Sequence, residues 1–134
     1  MAFISISITK NHPLILGKGG FGRQLADWLS AEGWGEAEFL DDSAPGCVGG
    51  LRDYADPKLL KPGRPAFVAL GDNALRVELL QKLAAAGYDT PVFISDMAAV
   101  SPSAVLEPGC VILPQAYVGA DAHLGVGCIV NGGA

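Results

Sequence analysis

This sequence has little of what marks several large protein classes. It has only three cysteines, Cys47, Cys110 and Cys128, among 134 residues, which are too few for a disulfide framework and suit the reducing cytoplasm. It has no apolar run long enough to span a membrane and no cluster of more than two Lys or Arg residues. Basic residues number nine against fourteen acidic ones, for a net charge of −5. We therefore expect a cytoplasmic protein with no membrane and no nucleic-acid partner.

Strands and helices alternate over the first two thirds of the chain. Short apolar runs bounded by Gly or Pro are typical of buried strands, and the amphipathic stretches between them are typical of helices. The predicted strands are residues 13–16, Glu38–Leu40, Ala66–Leu70 and Pro91–Ile94, and the predicted helices are Gly20–Gly33 and Asn73–Ala86. This alternation predicts an α/β domain with a parallel sheet over residues 13–95. Residues 1–12 are assigned to an N-terminal extension or an added strand.

From residue 96 onward, apolar residues recur every six positions. One phase of this period holds aliphatic residues: Val100, Leu106, Ile112, Val118, Leu124 and Val130. Four positions after each comes a small residue: Ala104, Cys110, Ala116, Ala122, Cys128 and Ala134. This coupled repeat predicts a left-handed parallel β-helix with six residues per face, in which both sets fill the interior. Pro and Gly residues between them suit the turns. Residues 96–134 make two coils, so we expect an incomplete β-helix.

The turn between the first strand and the first helix is rich in glycine: Gly17, Lys18, Gly19, Gly20, Phe21 and Gly22. Its glycines satisfy the G-x-G-x-x-G spacing in the strand–turn–helix context that this motif requires. Glycines let the backbone approach a phosphate closely, and the helix N-terminus presents free N–H groups and a positive dipole to it. The pattern predicts a phosphate-binding turn. The alternative is a tight turn with close helix packing and no ligand.

Polar residues follow the next two predicted strands. The second strand is followed by an acidic pair, Asp41 and Asp42. The third is followed by four candidate residues: Gly71, Asp72, Asn73 and Arg76. Because ligands bind at the carboxyl ends of strands in open α/β sheets, these residues are predicted to share an edge with the glycine turn, with the acidic pair on ribose hydroxyls. The alternatives are a solvated acidic loop and a helix cap at Asp72 or Asn73, which can coexist with binding.

The histidines and cysteines offer no nucleophile or metal site. His123 lies where its side chain should project outward from the β-helix, with no acidic or nucleophilic partner evident, so we interpret it as a surface residue. No spacing supports a Ser-His-Asp or Cys-His arrangement. Cys110 and Cys128 are eighteen residues apart and should stack as two small buried thiols. We expect no metal.

Together, these motifs resemble bacterial sugar-nucleotide acetyltransferases of the PglD/NeuD type, which include sialic acid O-acetyltransferases and UDP-amino-sugar N-acetyltransferases. The matching pieces are GKGGFG at 17–22, FLDD at 39–42, GDN at 71–73 with Arg76, SPSA at 101–104 and VNGGA at 130–134. The resemblance covers residues 14–134 and implies a Rossmann-like nucleotide-sugar-binding domain before a left-handed β-helix of hexapeptide repeats. Family members usually have His where this chain has Phe21, so a polar contact to the phosphate or sugar is not carried over.

The resemblance also implies roles for the candidate residues. The glycine turn would hold the diphosphate, Asp41 and Asp42 would contact the uridine or its ribose, and the segment 71–76 would line the same cleft. The implied reaction is acetyl transfer from acetyl-CoA to an amino or hydroxyl group of the sugar, with a β-helix histidine as general base. In the family that histidine follows the position of Asn131 by a few residues, and later coils complete a CoA cleft between subunits of a homotrimer. We therefore expect a truncated chain that binds a UDP-type sugar nucleotide and has no catalytic residue of its own.

Two other interpretations remain open at this point. The glycine motif and the acidic pair also occur in NAD(P)-binding oxidoreductases of the Rossmann type, although that class leaves the six-residue repeat unexplained. A non-catalytic sugar-nucleotide-binding module, in which the β-helix serves only trimerisation, would use the same residues.

Overall fold

The computed structural model describes residues 12–134, which fall into two compact units that divide between Thr90 and Pro91. The extension predicted over residues 1–12 lies outside the described residues, apart from His12. Both units are built on parallel sheets with few helices. Within residues 12–134, no helix has the length and apolar character needed to cross a membrane.

The first unit contains a three-stranded parallel sheet. Strand β1 (Leu14–Leu16) lies at its centre, between β2 (Glu38–Leu40) and β3 (Ala66–Val68). A central strand of a parallel sheet is covered on both faces, so every side chain must be apolar. All three residues of β1 are fully buried, as the uninterrupted apolar run predicts.

Two α-helices follow β1 and β3. Helix α1 spans Gly20–Ala31 and helix α2 spans Asn73–Ala86, which ends at Gly87 in the left-handed region. Between β2 and β3 lies a 3-10 segment, Leu51–Ala55.

Helix α2 buries an arginine beside its leucines. Leu79, Leu80 and Leu83 are buried, whereas Leu75 is 36% exposed and its neighbour Arg76 is buried instead. Hydrophobic spacing did not predict this exchange, because the guanidinium is buried through hydrogen bonds rather than apolar contact.

The second unit is a parallel β-helix of two-residue strands. Its strands are β4 (Phe93–Ile94), β5 (Ala99–Val100), β6 (Val105–Leu106), β7 (Val111–Ile112), β8 (Tyr117–Val118), β9 (His123–Leu124) and β10 (Ile129–Val130). Each strand pairs with the strand eighteen residues away, which gives three sheets, one for each face of the coil. The interior predicted from the six-residue period is confirmed, since Ile112, Ala116 and Val118 form a buried cluster on which the other aliphatic residues of the repeat pack.

Strand β4 does not belong to the first sheet, contrary to its prediction as a fourth strand there. It pairs in parallel with β7, and the Phe93 N–H donates to the Cys110 carbonyl at 2.9 Å. The apolar character of residues 91–94 does not indicate which sheet the strand joins. Its spacing does: Phe93 precedes Val111 by eighteen residues, which is one coil of the β-helix, so β4 adds one further face to that coil.

The turns of the β-helix contain a second six-residue period, in the backbone. Positive φ recurs at Gly109, Gln115, Asp121, Gly127 and Gly133. Three of these five residues are glycines, Gly109, Gly127 and Gly133, as expected for turns. Gln115 and Asp121 adopt it with ordinary side chains, although such residues rarely do.

Candidate functional site

The glycine turn lies at the carboxyl edge of the first sheet, between the ends of its two outer strands. Gly17 follows β1 with φ +103°, and its N–H donates to the carbonyl of Leu40 at the end of β2, at 2.8 Å. On its other side, a Cβ added to Gly17 would stand 2.8 Å from the carbonyl oxygen of Ala69, just beyond β3. Both the φ angle and the close approach therefore require glycine here.

Gly22 is required for a different reason, the contact between helix α1 and the turn. A Cβ at this position would lie 1.9 Å from the Gly17 carbonyl oxygen, closer than any real contact. The first turn of α1 is thus seated directly on the backbone that precedes it. Gly17 and Gly22, two of the four glycines, are therefore explained by a tight turn with close helix packing, which needs no ligand.

Gly19 and Gly20 are not required by the protein's own packing. A Cβ on either would meet nothing within 4 Å, and neither has a positive φ. Gly71, which follows β3 at the same edge of the sheet, is equally open. Three glycines that face open space at one sheet edge leave room for a group from outside to approach the backbone closely.

The N-terminus of α1 carries no cap from a side chain. Gly19 occupies the capping position, no side chain among residues 12–134 accepts a hydrogen bond from the first turn, and that turn contains no acidic residue. The first N–H groups of a helix have no partner within the helix and lie at the positive end of its dipole. This helix start therefore favours an anion in front of it.

Asp41 is committed to the protein's own backbone. Its Oδ2 accepts the Lys18 N–H at 2.8 Å, and its Oδ1 accepts the N–H groups of Ser43 and Ala44 at 2.9 and 3.0 Å. The Ser43 hydroxyl adds a longer contact of 3.3 Å. These bonds, that from Lys18 first, lower the pKa of Asp41 from 3.8 to about 2. The carboxylate joins the glycine turn to the loop that follows β2.

Lys18 turns its side chain to the same loop. Its Nζ donates to the Pro45 carbonyl at 2.9 Å and lies 5.2 Å from the centre of the Phe39 ring. At Gly46, where φ is +74°, an added Cβ would come within 2.9 Å of this ammonium. Lys18 thus contacts the loop through both its backbone and its side chain. It is included in the predicted phosphate site because it lies in the glycine motif.

Asp42 has a separate position and partner. Its Oδ1 accepts the Leu51 N–H at 2.9 Å, at the start of the 3-10 segment. At the same segment, Asp53 Oδ2 accepts the Gly50 N–H at 2.8 Å. The two adjacent carboxylates of the predicted pair therefore hold different parts of the chain, and Asp42 is the more exposed of the two.

The segment after β3 is organised around a helix cap and a buried arginine. Asp72 caps α2, accepting the Leu75 N–H at 2.9 Å. Arg76 donates to the Leu70 carbonyl at 2.9 Å and to the Asn73 side-chain oxygen at 2.7 Å. Its guanidinium thereby ties the end of β3 to the first residue of α2 and orients Asn73.

The other predicted residues lie as follows. Phe21 is half-buried in the first turn of α1. Asn131, in the second unit, is exposed after β10, and its carbonyl accepts the Ala134 N–H at 3.1 Å. All three cysteines are free, and Cys110 is buried, which raises the pKa of its thiol. Within residues 12–134, no three His, Cys, Asp or Glu side chains are grouped so that they could hold a metal ion.

His123 is exposed on the β-helix as predicted, but it has an acidic partner that was not predicted from the sequence. Its Nε2 lies 2.7 Å from Glu107 Oε2. Because β9 stacks on β6 with His123 opposite Val105, the outward side chain two residues later is that of Glu107. The eighteen-residue coil and the two-residue alternation together would have predicted this contact.

A cavity of about 470 Å³ lies at the opposite, amino-terminal edge of the first sheet. It is bordered by residues 36–38, residues 61–64 and His12. The buried Arg64 at its wall is fully engaged, with Glu38 at 2.6 Å and the carbonyls of His12 and Leu59. None of the predicted site residues lines it.

Comparison with known proteins identifies the family. Residues 14–83, just over half of the chain, match the PglD N-terminal domain family. The chain belongs to this family. The match contains the glycine turn, the acidic pair and the segment 71–76, so every predicted binding residue of the first unit falls within it.

Solved structures extend the similarity across both units. The acetyltransferase domain of PglB from Neisseria gonorrhoeae, in complex with acetyl coenzyme A, is 34% identical with a TM-score of 0.80. This alignment covers 92% of the present chain and 62% of that domain. PerB from Caulobacter crescentus, in complex with CoA and GDP-perosamine, is 29% identical with a TM-score of 0.80, over 91% of this chain and 60% of PerB.

The chain thus spans about three fifths of the length of these relatives. The relatives are sugar-modifying or acetyl-CoA-binding acetyltransferases by name, which favours that interpretation over a nicotinamide-dependent oxidoreductase.

Proposed function

We propose that this chain is the sugar-nucleotide-binding part of an acetyl-CoA-dependent sugar acetyltransferase. The first unit binds the diphosphate of a nucleotide-activated amino sugar, and the parent enzyme acetylates that sugar. One observation carries the proposal: Gly19, Gly20 and Gly71 face open space beside an uncapped helix N-terminus, in a chain whose relative PerB holds GDP-perosamine.

The geometry supports a diphosphate in front of α1. The N–H groups of the first turn and the helix dipole attract an anion, and the open glycines let phosphate oxygens reach the backbone. With a net charge of −5, the protein offers no general attraction for anions, so recognition depends on these local groups. Asp42, Gly71 and Asn73 contact the nucleoside or sugar at the same edge, while Asp72 caps α2.

Several finer features belong to this proposal. The first unit is Rossmann-like, which its strand order β2-β1-β3 and the glycine turn support. The second unit is a left-handed β-helix, which its six-residue period supports. We further propose that the nucleotide is of the UDP type and that the parent enzyme is a cytoplasmic homotrimer. Its two domains are those predicted over residues 13–95 and 96–134, except that strand β4 and the residues after it move from the first domain to the second.

The reaction proposed for the parent enzyme is a single acetyl transfer. The amino nitrogen of the sugar attacks the thioester carbonyl of acetyl-CoA, the carbon–sulfur bond breaks, and the thiolate of CoA leaves. A general base removes the proton that the nitrogen loses as the amide forms. Asn131 is placed by family resemblance next to that base on the β-helix.

The proposal is tested by calorimetric titration of this chain with a UDP-amino sugar, a GDP-amino sugar and NAD under the same conditions. We expect the UDP-amino sugar to bind most tightly and NAD to give no heat beyond dilution. UMP should bind at least about tenfold more weakly than UDP, because the turn recognises the diphosphate. Binding of NAD alone would overturn the proposal in favour of an oxidoreductase-type domain.

A further inference from the structure

Two residues of the predicted phosphate site are oriented away from a ligand role. Asp41 directs both carboxylate oxygens to backbone N–H groups, and Lys18 directs its ammonium to a backbone carbonyl. The two bonds that Lys18 donates join the glycine turn to the loop of residues 41–46, and the bonds that Asp41 accepts from Ser43 and Ala44 lie within that loop. Helix α1, which follows the turn, begins at Gly20 and has no side-chain cap at Gly19.

We propose that Asp41 and Lys18 are positioning residues, which hold the glycine turn in its ligand-binding shape and do not themselves contact the sugar nucleotide. Asp41 acts through the Lys18 N–H, and Lys18 acts through the Pro45 carbonyl. This inference rests on the proposed function, since it assigns roles within the same site.

The chemistry of the carboxylate explains why it has to be Asp at position 41. The Lys18 N–H donates to one oxygen at 2.8 Å, while the Ser43 and Ala44 N–H groups donate to the other at 2.9 and 3.0 Å. An ionised carboxylate accepts on both oxygens, whereas an amide accepts on one and donates from the other atom. The lowered pKa of Asp41 keeps it ionised throughout the physiological range.

Asp41→Asn therefore breaks one side of the arrangement selectively. The amide oxygen can keep the two local bonds to Ser43 and Ala44, and the NH₂ group then faces the Lys18 N–H, donor against donor. We expect sugar-nucleotide affinity to fall on the order of tenfold, since a hydrogen bond to a charged group is lost. Ser43→Ala is the matched control, because it removes only the 3.3 Å hydroxyl contact and should leave affinity unchanged.

Lys18 is tested by a pair of variants at different salt concentrations. Lys18→Met should weaken binding by the same factor at low and high salt, because the lost partner is the neutral Pro45 carbonyl, and Lys18→Arg should restore it. A loss that shrinks as salt rises would show that the ammonium acts directly on the phosphate, since only charge–charge attraction is screened. That result would overturn the role assigned to Lys18.

Amide hydrogen exchange tests the tether without any ligand. In the wild-type chain we expect the Lys18 amide to be protected and the Gly20 and Phe21 amides to exchange fast. In Asp41→Asn, protection at Lys18 should be lost while the Leu25 and Leu29 amides of α1 keep theirs. A Lys18 amide that exchanges as fast as Gly20 in the wild type contradicts the proposal. If the wild type binds no sugar nucleotide, the proposed function fails, and the exchange result still decides the tether.

Discussion

The two helices of the first unit begin at the same sheet edge but in opposite ways. Helix α2 starts behind Asp72, whose carboxylate accepts the Leu75 N–H. Helix α1 starts behind Gly19, with no side-chain cap and no acidic residue in its first turn. A capped helix start satisfies its own donors, whereas an uncapped start leaves its N–H groups to water or to a ligand. Helix α2 is thus completed by the protein itself, and under the proposed function α1 is completed by the bound diphosphate.

The four glycines of the turn divide in the same way: two are required by the protein's own packing, and two face open space. Gly17 and Gly22 stand where a Cβ would clash with backbone, while Gly19 and Gly20 stand in open space. The strand–turn–helix motif thus contains two separable functions, and substitutions at neighbouring positions should separate them.

The largest effect is expected for Gly22→Ala. The new Cβ would lie 1.9 Å from the Gly17 carbonyl oxygen, so α1 must move off the turn. We expect the free energy of unfolding to fall by about 3 kcal/mol, as in overpacked cores. Urea denaturation followed by circular dichroism measures it. A loss of less than about 1 kcal/mol would mean that the helix start is not seated on the turn.

Gly19→Asp should make the start of α1 resemble that of α2. The extended backbone at Gly19 and the open space around it accommodate a capping aspartate. We expect stability to rise by a few tenths of a kcal/mol, while affinity for a nucleoside diphosphate sugar falls about 100-fold because the new carboxylate repels the phosphate. Gly19→Asn, which caps without charge, is the control and should lose less affinity. Unchanged binding by Gly19→Asp would place the diphosphate elsewhere.

Gly20→Ala separates fold from binding at the next residue. Since alanine favours the helix and meets no neighbour, stability should rise by about 0.5 kcal/mol. The methyl group stands where the ligand approaches, so we expect calorimetric affinity to fall by about tenfold, or about 1.4 kcal/mol. A variant that binds as tightly as the wild type would remove Gly20 from the site.

Asp72→Ala tests the capped helix and should have the smallest effect. Loss of the bond to Leu75 should cost about 1 kcal/mol of stability, with affinity changed by less than about threefold, a difference below 1 kcal/mol. Thermal unfolding and the same titration measure both quantities. A large loss of affinity with stability unchanged would reverse the comparison, making Asp72 a ligand contact and not a cap.

Much of the fold could be predicted because its patterns are local. The strand Glu38–Leu40 and the helix Asn73–Ala86 occur with the predicted bounds, and the six-residue period gave the interior of the β-helix. Two of the errors have one origin. Strand β4 was assigned to the wrong sheet and the Glu107 partner of His123 was missed, because each depends on which residues stack eighteen positions apart.

The sequence by itself determined the two kinds of unit, the glycine turn at the end of β1 and the sheet edge at which candidate residues gather. These follow from hydrophobic period and from the few residue types that a turn accepts. Only the tertiary structure decided what each polar side chain does there: Asp41 holds Lys18, Asp42 holds Leu51, and Arg76 holds Asn73. The physical reason is that periodicity records burial, whereas a hydrogen bond between residues 23 positions apart depends on how β1 and β2 pair.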